Sequence, residues 1–284
     1  MILQLADKSL DLSQPRIMGV LNCTPDSFSD GGRYQEFDSA LRHAAQMIEE
    51  GADIIDVGGE STRPGSPEVS IDEELQRVVP VIEALHREFD VPLSVDTSKA
   101  EVMLAAAAAG AGMINDVAAL RNPGALDAAA LVHRQSRVAV CLMHMQGTPR
   151  TMQESPAYQN VVTEVLQFLL QRANVAETAG IAASSLVLDP GFGFGKTVKH
   201  NLSLLHHLGV YADYNYPILV GLSRKAMIKK ILASDPDERL IGSVTLALLA
   251  AQRGAHIVRV HDVKATADAL TLLQALINNE SDPV

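Results

Sequence analysis

Short apolar runs alternate with longer amphipathic segments along the whole chain. Residues 16–22 form a continuous apolar run of the kind found in buried parallel strands. The segment after it, residues 38–51, places apolar side chains at helical spacing from Leu41 to Ile48 and ends at Gly51. The same two patterns recur to the C-terminus, so the sequence predicts strands and helices in regular alternation.

Eight strands are predicted in this way, and each is followed by helix. They cover residues 16–22, 53–57, 92–95, 112–115, 137–143, 185–189, 217–221 and 256–260. Eight β/α units in a chain of this length predict a TIM (β/α)8 barrel, formed by residues 1–284 as a single domain. A doubly wound open sheet is the alternative fold.

Three helix starts carry capping signals. Ser70 and Glu73 have the spacing of a capping box, in which each side chain binds a backbone N–H of the first turn. Ser98 and Asn122 precede the next two helices and are also predicted to act as caps.

Polar side chains follow nearly every predicted strand, where a TIM barrel builds its active site. They are Asn22, Glu60 to Arg63, Asp96, Asn115, Asp116, His144, Asp189, Ser223 to Lys225 and Arg259 to His261. Acids, an amide and a lysine suit a flat heterocycle with adjacent N–H donors and a carbonyl. Arg63, Arg259 and His261 suit a phosphate, and the Asn22 oxygen suits Mg²⁺ shared with substrate phosphates.

The bulk composition narrows the class of protein. A net charge of −11 argues against a nucleic-acid partner, because phosphate binding needs a basic face. Two cysteines without C-x-x-C spacing indicate neither a disulfide scaffold nor a zinc site. The N-terminus does not resemble a signal peptide, and no apolar run is long enough to span a membrane. We therefore expect a soluble cytoplasmic protein.

The stretch DPGFGFGKT, residues 189–197, ends like a phosphate-binding loop but fails its pattern. A P-loop requires G-x-x-x-x-G-K-[ST], and counting back from Gly195 places Pro190 at the first glycine position. Proline has no N–H to offer a phosphate. The sequence therefore predicts no nucleotide site here, and Lys196 and Thr197 are interpreted as ordinary loop or helix start. The glycines are expected to let the backbone approach a substrate.

Long loops follow the first two predicted strands, at residues 23–37 and 58–69. Both are rich in glycine, serine and proline. Because such loops over a barrel mouth often close on substrate, we expect them to be mobile and functional.

Eight motifs in this chain resemble those of the bacterial dihydropteroate synthase family. They are MGVLNCTPDSFSDGG, DVGGESTRPG, SVDTSKAEV, IND, LMHMQGTP, DPGFGFGK, LVGLSRK and RVHDV, and they run from about Met18 to Val263. The resemblance implies a transferase that joins 6-hydroxymethyl-7,8-dihydropterin pyrophosphate to p-aminobenzoate in folate synthesis. It also implies Mg²⁺ as cofactor, sulfonamides as competitive inhibitors and a homodimer formed through the last helices.

The resemblance also implies roles for individual residues. The pterin ring would be held by Asp96, Asn115, Met143, Asp189, Gly221 and Lys225. The pyrophosphate would be held by Asn22, Arg63, Arg259 and His261, with Asn22 also the metal contact. The p-aminobenzoate pocket would comprise Phe28, Thr62, Arg63, Pro64, Gly193, Phe194 and Lys225. The residues expected to act in catalysis are Asp30, Arg63, Lys225, Arg259 and His261, with Asp30 near the reacting methylene.

The sequence departs from the family pattern at one position, and it leaves two alternative functions open. Ala226 stands where the family commonly has serine near the p-aminobenzoate carboxylate, so substrate or sulfonamide affinity is expected to differ. A pterin-binding methyltransferase domain shares a similar barrel but would not need the first two motifs. A non-catalytic pterin-binding relative would be expected to lose residues such as Asn22 or Lys225, which are present.

Overall fold

The computed structural model of the chain describes residues 1–23, 33–61, 65–148, 151–233 and 239–280. Strands β1 to β10 are Ile2–Leu5, Lys8–Asp11, Arg16–Asn22, Ile54–Gly58, Leu93–Asp96, Met113–Asp116, Ala139–Met143, Leu186–Asp189, Leu219–Val220 and Ile257–Val260. Helices α1 to α10 are Arg33–Glu49, Ile71–Glu88, Ala100–Ala108, Ala125–Ser136, Val161–Thr178, Val198–His206, Gly209–Ala212, Ala226–Leu232, Leu240–Gln252 and Val263–Glu280. All eight predicted strands are present, as β3 to β10, and a 3-10 turn, Ala183–Ser185, precedes β8.

Strands β3 to β10 form one parallel barrel. Their order is β8-β7-β6-β5-β4-β3-β10-β9, so each strand lies beside its sequence neighbour. A parallel bridge between Leu188 and Ile218 joins the two remaining edges, and the Leu188 N–H donates to the Pro217 carbonyl at 2.9 Å. This bridge confirms the TIM barrel and excludes the open sheet. The carboxyl ends of all eight strands therefore meet at one mouth.

An antiparallel hairpin formed by β1 and β2 covers the opposite end of the barrel. Leu3, Leu5, Leu10 and Leu12 are buried in one cluster with residues near the starts of the barrel strands, which include Met18, Ile54, Met113, Ala139, Val187, Leu219 and Ile257. This hairpin was not predicted from the sequence. The alternation of its leucines was the available signal, since alternate residues of a strand face the same side.

The capping prediction for α2 is half right. The Ser70 Oγ accepts the backbone N–H of Glu73 at 3.3 Å, as predicted. The Glu73 carboxylate instead binds Arg77, one turn further along the same helix. The first turn of α2 therefore has one side-chain cap rather than a reciprocal pair.

The capping predictions for Ser98 and Asn122 are wrong. The Ser98 Oγ donates to the Asp116 carboxylate at 2.5 Å, and the Asn122 amide donates to the Ser98 carbonyl at 3.0 Å. Helices α3 and α4 begin instead after Lys99 and Gly124, without a side-chain cap. Both side chains thus tie the β5–α3 loop to the β6–α4 loop at the barrel mouth.

The state of the cysteines and the hydropathy of the helices were also predicted from the sequence. Both cysteines are free, with Cys141 buried and Cys23 half-buried, which agrees with the expected absence of a disulfide scaffold. Among the helices of the described segments, none is long and apolar enough to cross a membrane.

Candidate functional site at the barrel mouth

The described site residues lie on seven elements around the mouth. Asn22, Asp96, Met143 and Asp189 end β3, β5, β7 and β8, and Asn115 lies in β6. Gly221 follows β9, Lys225 precedes α8, Arg259 lies in β10 and His261 follows it. Gly193 and Phe194 belong to the loop after β8. Phe28, Asp30, Thr62, Arg63 and Pro64 lie outside the described residues, so their predicted roles stay predictions.

Arg259 lies between two carboxylates inside the mouth. Its Nε donates to Oδ2 of Asp56 at 2.6 Å, and its Nη2 donates to Oδ2 of Asp96 at 2.7 Å. These three residues come from β10, β4 and β5, so the barrel brings together charges far apart in sequence. The arrangement places a cation between two acids at the centre of the predicted site.

Asp56 is a site residue that the sequence analysis missed. Its side chain is fully buried, and the same Oδ2 also accepts the Asn115 amide at 3.0 Å. The residue lies inside the apolar run of β4 rather than after it, and strand ends were where polar residues were sought. A useful signal was the acid itself, because a buried aspartate is rare unless it is paired.

The electrostatics of this cluster follow from burial and mutual contact. Burial opposes the charge on Arg259, but the carboxylates of Asp56 and Asp96 outweigh it and raise the pKa of the guanidinium. Burial raises the pKa of Asp96, and the nearby Asp56 and Glu74 add to the rise, while Arg259 acts against it. Arg259 is therefore a permanent cation, and the carboxyl of Asp96 takes up a proton more readily than an ordinary aspartate does.

Asp189 closes the other side of the mouth. Its Oδ1 accepts the Gly191 N–H at 2.7 Å, which fixes the carboxylate at the start of the glycine-rich loop. Burial raises the pKa of Asp189 to about 6, against the lowering effect of the Gly191 hydrogen bond and Lys225. The pKa of Lys225 is lowered to about 8, first by burial and then by Arg259. At neutral pH Asp189 is mainly ionised and Lys225 mainly charged.

Lys225 packs against Phe194 of the glycine-rich loop beside these groups, and we call the surface of these two side chains the aromatic wall. The Lys225 Nζ lies 4.2 Å from the centroid of the Phe194 ring, which is the geometry of a cation–π contact. A Cβ at Gly193 would approach the Lys225 Cδ to 3.2 Å, so glycine there leaves room for the lysine stem. Phe194 also packs in an apolar cluster with Met143, Met145 and Met152. The structure thus brings four predicted site residues together, namely Gly193, Phe194, Lys225 and Met143.

Lys196 does not behave as an ordinary loop residue, and that interpretation is wrong. The side chain is buried, and its Nζ lies 2.9 Å from the Gly191 carbonyl, 3.0 Å from the Phe194 carbonyl and 3.2 Å from the His144 carbonyl. The His144 Nδ1 is a fourth contact, at 2.9 Å. The loop therefore folds around its own lysine, while Thr197 caps α6 as expected for a helix start.

Two glycines of this loop are required by backbone contacts rather than by a substrate. Gly191 has a φ of +68°, and a Cβ there would lie 1.9 Å from the His144 carbonyl oxygen. Gly195 has a φ of +63°, and a Cβ there would lie 2.6 Å from the Gln146 carbonyl oxygen. At these two positions the expected approach to substrate is thus replaced by packing on the segment after β7.

His144 was grouped with the polar residues at strand ends, but its ring faces this packed layer. Its ring lies edge-on to Phe168, with centroids 4.9 Å apart, and its Nδ1 is occupied by Lys196. Burial and the lysine charge lower its pKa to about 3.

His261 is held by a single serine. The Ser223 Oγ lies 3.2 Å from the His261 backbone nitrogen and 3.0 Å from its Nδ1. The backbone N–H can only donate, so the serine oxygen accepts there. Burial, followed by the Arg259 charge, lowers the pKa of His261 to about 3, so the free protein holds this imidazole neutral.

Two other polar side chains after strands hold loop segments in place rather than facing the mouth. Asp116 was predicted among the ligand-facing groups, but its carboxylate accepts the N–H groups of Ala118 and Leu120 at 2.7 Å each, besides Ser98. Glu60 forms an ion pair with Lys99 at 2.6 Å and accepts the Val69 N–H at 3.1 Å. Asp116 therefore holds the loop after β6, and Glu60 holds the base of the second long loop.

Asn22 supplies the one metal donor that the sequence suggested. It is half-buried, and its neighbour Cys23 donates its N–H to the Gly58 carbonyl at 2.8 Å, which anchors the end of β3. No group of three or more His, Cys, Asp or Glu side chains within the described ranges could hold a metal ion alone. An amide oxygen still fits Mg²⁺, because that ion is usually held by one or two protein oxygens together with substrate phosphates.

Comparisons with known proteins identify the family of this chain. The sequence model of the family described as pterin binding enzyme matches residues 18–261. Dihydropteroate synthase of Escherichia coli (strain K12) is 54% identical over 270 residues, which cover 95% of this chain and 94% of that protein.

Two solved structures are similar over nearly the whole chain. Dihydropteroate synthase of Xanthomonas albilineans with 4-aminobenzoic acid has a TM-score of 0.92 at 52% identity, and the match covers 99% of each chain. The Yersinia pestis enzyme in a sulfonamide drug complex has a TM-score of 0.92 at 52% identity, covering 98% of this chain and 100% of that one. The chain therefore belongs to the dihydropteroate synthase family of pterin-binding transferases.

Proposed function

We propose that this protein condenses 6-hydroxymethyl-7,8-dihydropterin pyrophosphate with p-aminobenzoate, giving 7,8-dihydropteroate and pyrophosphate with the help of Mg²⁺. The observation that carries the proposal is the ring of carboxylates, amide and cations at the mouth of a barrel of this family. Matches over nearly the whole chain to proteins named dihydropteroate synthase favour the synthase over a methyltransferase domain or a non-catalytic relative. The proposal takes residues 1–284 as one functional domain.

The pterin ring would lie among the groups inside the mouth. Asp96 and Asp189 would accept its N–H groups, while Asn115 and Lys225 would serve its remaining polar atoms. Met143 and Gly221 would border the ring. Support comes from the burial of Asn115 and Asp189, because hydrogen bonds are strongest where water is excluded.

The pyrophosphate would lie nearer the ends of β3 and β10, on Asn22, Arg63, Arg259 and His261. Arg259 supplies a permanent charge, and His261 supplies a neutral ring held by Ser223. Mg²⁺, when bound through Asn22 and the phosphates, would neutralise charge on the leaving group. Asp30 would lie near the reacting methylene.

The p-aminobenzoate would bind over the aromatic wall. Support comes from the Lys225–Phe194 contact and from the relatives that were solved with 4-aminobenzoic acid and with a sulfonamide drug. Sulfonamides would therefore act as competitive inhibitors. The remaining members of this pocket are Phe28, Thr62, Arg63, Pro64 and Gly193, together with Lys225 and Phe194.

The chemistry would be a substitution at the pterin methylene. The bond from this carbon to the pyrophosphate oxygen breaks first, and both bonding electrons leave with pyrophosphate. Arg259, His261 and Arg63 would stabilise that charge. The neutral aniline nitrogen of p-aminobenzoate then forms the new C–N bond and loses a proton. No covalent bond to the enzyme is needed.

A direct assay tests the reaction. Purified protein is mixed with the pterin pyrophosphate, p-aminobenzoate and Mg²⁺, and dihydropteroate and pyrophosphate are both measured. We expect the two products in equal amounts, loss of activity when EDTA removes the metal, and recovery when Mg²⁺ is restored. A protein that binds both substrates in Mg²⁺ yet forms no dihydropteroate would contradict the synthase.

The Ser223→Ala variant tests how His261 is held. Within the described residues, the His261 Nδ1 is the one acceptor in hydrogen-bonding distance of the Ser223 hydroxyl, so the serine favours the tautomer with hydrogen on Nε2. We expect kcat/KM for the pterin pyrophosphate to fall about 10-fold, the size of one lost hydrogen bond, with little change in the KM of p-aminobenzoate. Equal losses for both substrates would refute this role. Ser203→Ala on the outer helix α6 is the control.

We also propose that the protein forms a homodimer through its last helices. Ile241 of α9 and Leu272 of α10 are 77% and 73% exposed, and Leu276 is 55% exposed. Leu272 and Leu276 are four residues apart and so share a face of α10, which packs against α9, and exposed large apolar side chains of this kind are typical of protein interfaces. This face lies on the outer helices, so dimer formation would leave the barrel mouth accessible.

A further inference from the structure

Asp56 lies among the charged side chains at the barrel mouth, but none of the predicted roles explains it. It lies in the middle of β4, with Val20 of β3 and Ser94 of β5 as its parallel partners. Its side chain is fully buried, and its Oδ2 receives both the Arg259 Nε and the Asn115 amide. Among the described residues its Oδ1 accepts no hydrogen bond. Burying a carboxylate costs free energy of desolvation, so we expect Asp56 to have a role in the site that its two partners share.

Two different partners would compete for the Nη2 of Arg259: the Asp96 carboxylate and the pyrophosphate. In the proposed function this arginine binds pyrophosphate, yet its Nη2 is occupied by Asp96, which the same proposal assigns to the pterin ring. Its Nε contact goes to a different carboxylate, that of Asp56. Pterin N–H groups on Asp96 would compete with Nη2 but would leave the Nε contact in place.

We propose that Asp56 is a positioning residue, which holds the Arg259 Nε while the Nη2 contact with Asp96 is exchanged for the pyrophosphate. This inference rests on the proposed function. Binding of the ring to Asp96 thereby releases one edge of the guanidinium toward the leaving group. The other edge stays fixed, so the arginine turns about Asp56.

The same residue orients Asn115. Because its carboxylate can only accept hydrogen bonds, the Asn115 group that faces it at 3.0 Å is the NH2. The Asn115 amide oxygen is thereby left to accept an N–H of the ring. Asp56 thus prepares both halves of the site without contacting the substrate.

The diagnostic quantity is the gain in affinity that the pyrophosphate provides. It is the ratio of the Kd for 6-hydroxymethylpterin, which has no phosphate, to the Kd for the pterin pyrophosphate, both measured calorimetrically with Mg²⁺. Two variants are compared with the wild type. Asp56→Ala removes the acceptor, while Asp56→Asn keeps an acceptor oxygen of the same size and removes the charge.

We expect the ratio to fall about 10- to 100-fold in Asp56→Ala, which loses a charge-assisted contact to Arg259, and by less in Asp56→Asn. Asp53→Asn is the matched control, because Asp53 directly precedes β4, at the end of the strand away from the mouth, and binds Arg16 at 3.2 Å. Its ratio should equal that of the wild type. Thermal unfolding checks that each variant is folded. If Asp56→Ala does not fold, the affinity ratio of Asp56→Asn decides the outcome.

Two results would overturn the role of Asp56. An unchanged ratio in folded variants, even with both affinities lowered equally, would mean that Asp56 supports the ring or the fold but not the arginine. A wild type that binds both ligands equally would overturn the proposed pyrophosphate site, and with it this inference. The first result leaves the proposed function intact, so the two failures are distinguishable.

Discussion

Replacing Arg259 by methionine is expected to lower kcat/KM for the pterin pyrophosphate by about 10³-fold, the upper range for losing a preorganised charge at a leaving group. Arg259 is the only side chain within ion-pairing distance of Asp56 or Asp96 in the described part of the chain. Methionine would therefore leave two buried carboxylates without a counter-ion. Steady-state kinetics with each substrate varied in turn measures the loss.

The same variant should also be less stable. Removing one partner of a buried ion pair costs about 3–5 kcal/mol, because the remaining charge stays desolvated. Part of that cost is avoided if the Asp96 carboxyl takes up a proton, since its pKa is already raised. Denaturant unfolding measures the change in free energy, and we expect the destabilisation to be smaller at pH 5.5 than at pH 8.

Two controls sharpen this result. Arg259→Lys keeps a charge but not the fork that reaches Asp56 and Asp96 at once, so we expect intermediate activity. Arg87→Met removes an exposed arginine whose contact is Glu88 at 3.5 Å, and it should leave activity unchanged. Near-normal kcat/KM in a folded Arg259→Met protein would contradict the proposed role of this arginine.

Replacing Lys196 by methionine is expected to disrupt the glycine-rich loop and with it the wall that faces p-aminobenzoate. Methionine has nearly the length of lysine but donates nothing to the carbonyls of His144, Gly191 and Phe194. The Gly191 carbonyl would keep the Phe194 N–H, but the His144 and Phe194 carbonyls would lose the lysine. Each unsatisfied buried carbonyl costs about 1–3 kcal/mol, offset in part because burying the lysine amine also costs free energy. We therefore expect a net loss of stability of about 2–4 kcal/mol.

The kinetic effect should be uneven between the substrates. The loop carries Phe194, which packs under Lys225, and the Gly191 N–H that fixes Asp189. We expect the KM of p-aminobenzoate to rise by about 10- to 100-fold, the effect of a misplaced binding wall. The KM of the pterin pyrophosphate should change less, because Asp96 and Asn115 are held from other strands.

Lys199→Met is the matched control for this variant. Lys199 is exposed on α6, three residues further along the chain, so its removal should change neither stability nor KM. If Lys196→Met were as stable as the control and bound p-aminobenzoate normally, the loop would not depend on its internal cation.

Strand ends explain how much of the site was predictable. Asp96, Asn115 and Asp189 were found because each follows or ends an apolar run, and a barrel collects such positions at one mouth. Asp56 was missed because it lies inside a run. Ile54, two residues before it, faces the barrel interior, so the period of two predicts that Asp56 faces the interior as well.

Other features depended on partners remote in sequence. Ser98 has the right spacing for a helix cap, but Asp116 lies close enough in the fold to take its hydroxyl. Lys196 resembled the end of a failed phosphate loop, and only the folded chain brings the His144 carbonyl to it. Local propensity cannot reveal such competitors, because they arise when separate β/α units pack together.

In the proposed function the pterin ring binds inside the mouth and its pyrophosphate nearer the ends of β3 and β10, with Arg259 in contact with the pyrophosphate. A crystal structure with Mg²⁺ and the pterin pyrophosphate, in the absence of p-aminobenzoate, tests it most directly. We predict ring nitrogens within hydrogen-bonding distance of Asp96, Asn115 and Asp189, and phosphate oxygens on Arg259 and His261. A pyrophosphate bound instead over the loop from Gly191 to Lys196, with the ring outside the barrel, would contradict it.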